Sequence, residues 1–128
     1  MRRFVLPILL LALAAPGSAQ EWPRAPEYDV LLTSYDIQPE VIRLEADRPV
    51  RLRFVNDSHQ RHDFTAPGFF RSARLRGRDK AIIRGGSIRV APLSTRTIAL
   101  VPRAGRYRVA SRDLRQRLLG MQARIIVE

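Results

Sequence analysis

The two histidines of the chain, His59 and His62, stand three residues apart in the polar segment Asn56-Asp57-Ser58-His59-Gln60-Arg61-His62-Asp63-Phe64. Two imidazoles at that spacing can share a metal ion, since neutral imidazole suits copper, zinc, iron and nickel. The same pair in a loop also reads as ordinary surface residues, and the segment alone leaves both readings open. There is no cysteine in the sequence. Thiolate chemistry is therefore excluded in all its forms, catalytic, redox and metal-binding. No Ser/His/Asp arrangement, no paired-carboxylate motif and no phosphate-cradling glycine loop occurs, so no enzyme is expected.

Charge is the second chemical feature. The chain carries 23 basic and 12 acidic residues, a formal net charge of +11, and Lys80 is its one lysine. An arginine-rich surface suits an acidic protein partner or an anionic surface. It also arises from composition alone, with the guanidinium groups spread over a solvated exterior. The run Arg71, Arg74, Arg76, Arg78 and Lys80 has Asp79 inside it and reads as a solvated loop.

These side chains must be held by short strands. Val50, Leu52 and Phe54 alternate with Arg51 and Arg53, the period of a strand with one face buried. Further strand-like runs are 29–34, 41–45, 81–83, 87–90, 94–101, 105–111 and 121–127. Pro39, Asp47-Arg48-Pro49, Gly85-Gly86, Pro92 and Pro102 to Gly105 divide them. Seven or eight strands at this spacing predict an all-β sandwich. Val50, Leu52, Phe54, Ile98, Leu100, Tyr107, Val109, Ile125 and Val127 are expected in its core. Residues 67–78 read as a short helix or a packed loop across one edge.

At the N-terminus Arg2 and Arg3 precede the apolar run Phe4 to Ala15, and Gly17 and Ala19 supply small residues for cleavage. Residues 1–19 are expected to be a cleaved signal peptide. The run is shorter than the ~20 apolar residues of a spanning helix. The expected organisation is then 1–19 signal, 20–27 extended lead-in and 28–128 a single domain. That domain would be periplasmic or secreted, with no transmembrane segment in the mature chain and no nucleic-acid partner.

The C-terminal part, Pro102-Arg103-Ala104-Gly105-Arg106-Tyr107-Arg108-Val109-Ala110-Ser111 followed by Gly120-Met121 and Ile125 to Val127, resembles the end of the cupredoxins. In that family a strand with a Pro-Gly-x-Tyr pattern ends in a cysteine. A loop with a His and a Met follows, and an earlier Asn…His-x-Phe segment holds the first ligand, as in Asn56…His62-Asp63-Phe64. Ala66-Pro67-Gly68-Phe69-Phe70 adds a resemblance to the EfeO-type cupredoxin-like domains of bacterial periplasmic proteins.

The resemblance implies a Greek-key β-sandwich of cupredoxin type with a degenerate type 1 copper site. It puts the family's metal ligands on His62 and Met121, and its lost ligands on Ser111 (cysteine in the family) and Gln116 (histidine in the family). No resident cofactor is expected; residual copper would be held weakly by His62 and Met121, with His59 or Asp113 as auxiliary ligands. Ser111 shares strand parity with Tyr107 and Val109 and is expected to point inward. The loop after Ser111 would bring Arg112, Arg115 and Arg117 beside Arg61, an end suited to an acidic partner or anionic surface. The leading expectation is a non-enzymatic binding or interaction module, and the alternative is a copper-handling protein.

Overall fold

The computed structural model describes residues 22–110 and 122–128. The signal region, and with it Ser111, Asp113, Gln116, Met121, Arg112, Arg115 and Arg117, lies outside the described residues.

Ten strands and one short helix follow in chain order: β1 (Glu27–Leu32), β2 (Ile37–Gln38), β3 (Val41–Leu44), β4 (Val50–Asn56), β5 (His62–Thr65), α1 (Pro67–Ser72), β6 (Arg74–Leu75), β7 (Ser87–Val90), β8 (Thr95–Val101), β9 (Gly105–Ala110) and β10 (Gln122–Val127). They form two five-stranded sheets, ordered β2-β1-β4-β8-β6 and β3-β10-β9-β5-β7. The chain leaves the first sheet after β2, adds β3 to the second, and returns as β4. Because of that excursion β1 runs parallel to β4 and β3 parallel to β10, while the remaining pairs are antiparallel.

Alternation fixes which side of each strand is dry. In β4, Val50, Leu52, Phe54 and Asn56 are buried while Arg51, Arg53 and Val55 face outward. From the facing sheet come Phe64, Ile88, Val90, Val109 and Ile125, all 0–1% exposed. Aromatic rings run through this core: Phe54 meets Phe64 at 4.7 Å, Phe64 meets Phe70 at 6.2 Å, and Phe69 meets both Phe70 (5.3 Å) and Tyr107 (5.5 Å). Tilted and edge-on contacts of this kind add about 0.5–1.5 kcal/mol each beyond area burial. They tie α1 to β4, β5 and β9.

The expected core is found, with one difference: Tyr107 is half-buried. Its ring packs inward while its hydroxyl reaches back to donate to the Arg103 carbonyl at 2.9 Å, with the Ala104 carbonyl at 3.3 Å. The Ser72 hydroxyl lies 3.1 Å from both the Tyr107 hydroxyl and the Phe69 carbonyl, to either of which it can donate. Gly105, at φ +154°, makes room, since a Cβ there would lie 2.8 Å from the Tyr107 hydroxyl.

Residues 67–78 form α1, the two-residue β6 and a turn of 3-10 helix at Gly77–Asp79. Asp79 is not part of a solvated loop. It is 2% exposed, and its Oδ2 accepts from Arg76 Nε and from the Ala99 N–H, both at 2.8 Å. This carboxylate pins the segment to β8. Two other expectations change. Residues 81–83 form a turn, because Ile82 and Ile83 pack half-buried against the core without a strand to pair with. Within the expected lead-in, Trp22–Arg24 make a 3-10 turn, and Trp22 and Ala25 are buried.

Candidate functional site

Asn56 is the last residue of β4 and His62 the first of β5, and the turn between them is organised by buried side chains. Asn56, 1% exposed, directs its amide nitrogen at three carbonyls: Gln60 at 2.7 Å, and Val90 and Ala91 at 3.0 Å each. That arrangement fixes Oδ1 as the acceptor on the other side. It takes the Ser58 backbone N–H at 3.1 Å, closing an Asx turn, and the Ser58 hydroxyl at 2.7 Å. One asparagine thereby holds the turn to itself and to the end of β7.

Ser58, 3% exposed, passes this order to His62. A hydroxyl has one proton and two lone pairs. The nearest acceptor for the proton is Asn56 Oδ1. Around the lone pairs stand the Gln60 N–H at 3.2 Å and His62 Nε2 at 3.0 Å. The inventory closes when Nε2 carries the proton and donates. In the neutral ring the basic lone pair then belongs to Nδ1, because the hydrogen bond at one ring nitrogen sets the role of the other. His62 itself is 1% exposed and its strand register pairs it with Val90.

Of the sequence-predicted residues, His62 is bonded to the Ser58 side chain, and His59 and Arg61 lie exposed on the same turn. His59 is exposed on the turn while His62 is buried. His62 is held by the Ser58 side chain. Arg61 is exposed and lines a surface cleft with Arg89 and Arg96. In the sequence Asn56 figures only as part of the family pattern and Ser58 not at all, so their role in holding the turn is not read there. The signal that could have found them is the Asn-x-Ser spacing directly after a strand, which favours an Asx turn.

Comparison with solved structures gives the fold its class. Auracyanin B superposes with a TM-score of 0.55 at 14% identity, over 91% of this chain and 93% of that one. Auracyanin A, a "blue" copper protein from the green thermophilic photosynthetic bacterium Chloroflexus aurantiacus, gives 0.57 at 16%, over 81% and 100%. The dithionite-reduced auracyanin of the photosynthetic bacterium Roseiflexus castenholzii gives 0.57 at 12%, over 81% and 97%. No protein-family model matches the sequence, and no curated protein matches it significantly. The architecture is thus the β-sandwich of the cupredoxins.

The residues present do not fit a blue-copper centre. Such a centre is built on a cysteine thiolate, two imidazoles and a weak axial ligand. This chain has no cysteine and two histidines, one of them solvent-exposed. Among the described residues, no group of three His, Cys, Asp or Glu side chains could hold a metal ion.

Proposed function

We propose that this chain is an exported, non-enzymatic binding module on a cupredoxin-type sandwich that has lost its type 1 copper centre. The observation that carries the reading is the absence of cysteine from a chain with this fold. Serine does not replace the thiolate, because its hydroxyl stays protonated at neutral pH and cannot supply the short copper–sulfur bond that electron transfer in this fold depends on. The turn that bears His62 supports the same reading. Asn56 and Ser58 bond the imidazole into the scaffold, where it joins the ends of β4, β5 and β7. Among the described residues no helix is long and apolar enough to cross a membrane.

The test is a Cu(II) titration of the mature protein followed by calorimetry and visible absorption. Weak binding without an intense blue band is the expected result. A blue protein would overturn the reading. For export, the intact mass of protein recovered from the periplasm should correspond to a chain starting at Gln20, within two residues. A form beginning at Met1 would refute that part.

One observation favours a second reading, copper handling. His62 Nε2 lies 3.0 Å from the Ser58 hydroxyl, and in the tautomer that donates there the basic lone pair of the neutral ring belongs to Nδ1, a form that a metal accepts. Tight, colourless, stoichiometric copper binding that is lost in His62→Ala and in Met121→Leu would move the assignment to that reading.

A further inference from the structure

β7 is the last strand of the second sheet, and two adjoining clefts open along it. The first, about 560 Å³, is lined by Asp63, Arg84, Ser87, Arg89 and Arg96 among others. The second, about 470 Å³, is lined by Arg61, Ser94, Thr95 and the same Arg89 and Arg96. Each volume falls within the range of small-molecule sites, about 300–1,000 Å³. Four arginines thus line the two clefts, from the turn before β5, the turn before β7, β7 itself and β8. One carboxylate, Asp63, faces them.

The two guanidinium groups of the shared wall are held in place. Arg89 Nε donates to Asp63 Oδ1 at 3.1 Å, and Arg96 Nη1 donates to the Arg89 carbonyl at 3.0 Å. Each tether uses one of the five N–H donors that a guanidinium carries. Arg84 bonds through its backbone to Ser87, and its side chain makes no hydrogen bond or ion pair among the described residues. Positioned guanidinium forks match the planar oxygens of carboxylate and phosphate, and they repel a cation.

We propose that this groove binds a small organic or inorganic anion bearing at least two carboxylate or phosphate groups. Two anionic groups are called for because Arg84 belongs to the first cleft alone and Arg61 to the second, with Arg89 and Arg96 between them. The proposal rests on the reading of the chain as a binding module and names the ligand class it takes. The outer face of the second sheet offers an internal comparison. It carries Arg106 and Arg108 on β9, with Arg108 directly opposite Arg124 on β10, all exposed. Neither Arg106 nor Arg108 lines the two clefts.

The experiment uses copper-free mature protein titrated with citrate and, separately, with pyrophosphate. Calorimetry reads affinity and amide chemical shifts read location. Saturable binding of at least one anion is expected, with shifts concentrated at residues 61–63 and 84–96. Citrate alone would identify a carboxylate ligand and pyrophosphate alone a phosphate ligand. Arg84→Gln with Arg96→Gln should weaken binding at least tenfold, whereas Arg106→Gln with Arg108→Gln, the same loss of charge, should leave it within about twofold because exposed charges beyond the ~8 Å Debye length are screened. Arg84→Gln alone removes no described contact and serves if the double variant is unstable; it should still weaken binding about threefold or more, as loss of one charge-assisted hydrogen bond implies. Equal weakening by both double variants would reduce the effect to net charge and overturn the groove. So would the absence of saturable binding of either anion at millimolar concentration. Neither outcome touches the copper titration, so the groove and the module reading fail separately.

Discussion

Asn56→Asp is the most discriminating perturbation of the turn before β5, because it replaces an NH2 by an oxygen at nearly constant shape. In the native protein that nitrogen lies 2.7–3.0 Å from three carbonyl oxygens. A simple truncation, Asn56→Ala, removes the donor and leaves two buried groups without their partner, the Val90 carbonyl and the Ser58 N–H. At about 1–3 kcal/mol for each buried group left unsatisfied, and with the carbonyls of Gln60 and Ala91 nearer to water, the expected cost is about 3 kcal/mol. For a domain of this size that corresponds to a fall in Tm of roughly 12–24 °C. The aspartate variant adds a titration. An ionised carboxylate against three carbonyl oxygens is so unfavourable that the folded protein keeps the acid protonated, which raises its pKa above the usual ~3.9. The folded state then binds more protons than the unfolded one. Stability is retained below about pH 4 and is lost progressively as pH rises above it. Urea denaturation of both variants at pH 3.5 and pH 7, followed by circular dichroism, reads this directly. At pH 7 Asn56→Asp should be the less stable, and at pH 3.5 the gap should close or reverse, since a protonated acid can still donate one hydrogen bond. An Asn56→Asp protein within about 1 kcal/mol of wild type at pH 7 would refute the hydrogen-bond reasoning, that margin being one ordinary hydrogen bond.

Three further outcomes are expected. Asp79→Ala should destabilise by about 3 kcal/mol, the low end for breaking a buried ion pair because Arg76 keeps some exposure; Asp79→Asn should cost less, since its amide oxygen can still accept from the Ala99 N–H, and equal costs by denaturant titration would argue against the pinning role. Tyr107→Phe should cost about 1 kcal/mol for the lost bond to the Arg103 carbonyl, while Gly105→Ala should cost more, because its Cβ meets the Tyr107 hydroxyl at 2.8 Å at a φ of +154°; the pair combined should be less than additive in thermal melts, and strict additivity would deny the coupling. Ser111→Cys with Gln116→His, offered Cu(II), should yield visible blue absorption that wild-type protein lacks, and a colourless variant would show that these two positions are not the lost ligands.

Strands were legible where one face is dry and the other wet. β4 declares itself because every second residue from Val50 to Asn56 is buried, whereas β8 buries Ile98, Ala99 and Leu100 in succession and is recognisable as a β-rich run between turn residues. Elements that lack a complete period were not. β2 and β6 have two residues each, too few for alternation, and their pairing with β1 and β8 is decided by the neighbouring strand. Residues 81–83 failed in the opposite sense. Ala81-Ile82-Ile83 is apolar enough for a strand, but Ile82 and Ile83 spend that character on packing into the core from a turn. The burial of Asp79 is not legible in the sequence, because a carboxylate among basic residues looks solvated and its place depends on an N–H of Ala99, twenty residues away.

The site shows the same division between local and distant determinants. His62 could be singled out because its neighbours Asn56 and Phe64 carry a family pattern, but what holds the imidazole could not, since Ser58 is an unremarkable loop serine until Asn56 orients its proton. Where that hydroxyl donates to Asn56 Oδ1, the ring nitrogen facing it donates in turn, and the imidazole is held with no reference to a metal. The histidine is thus useful to the fold whether or not copper is present, which gives a physical reason for it to stand in a chain without a thiolate. The arginines divide likewise. Arg71 to Lys80 form a run in sequence and scatter in function, with Arg76 taken up by Asp79. Arg61, Arg84, Arg89 and Arg96 are no run at all, yet the pairing of β7 with β5, together with the Arg96 bond to the Arg89 carbonyl, gathers them along one groove. In a sandwich the groups that act together come from different strands, so a charge cluster that matters is found by register and not by adjacency.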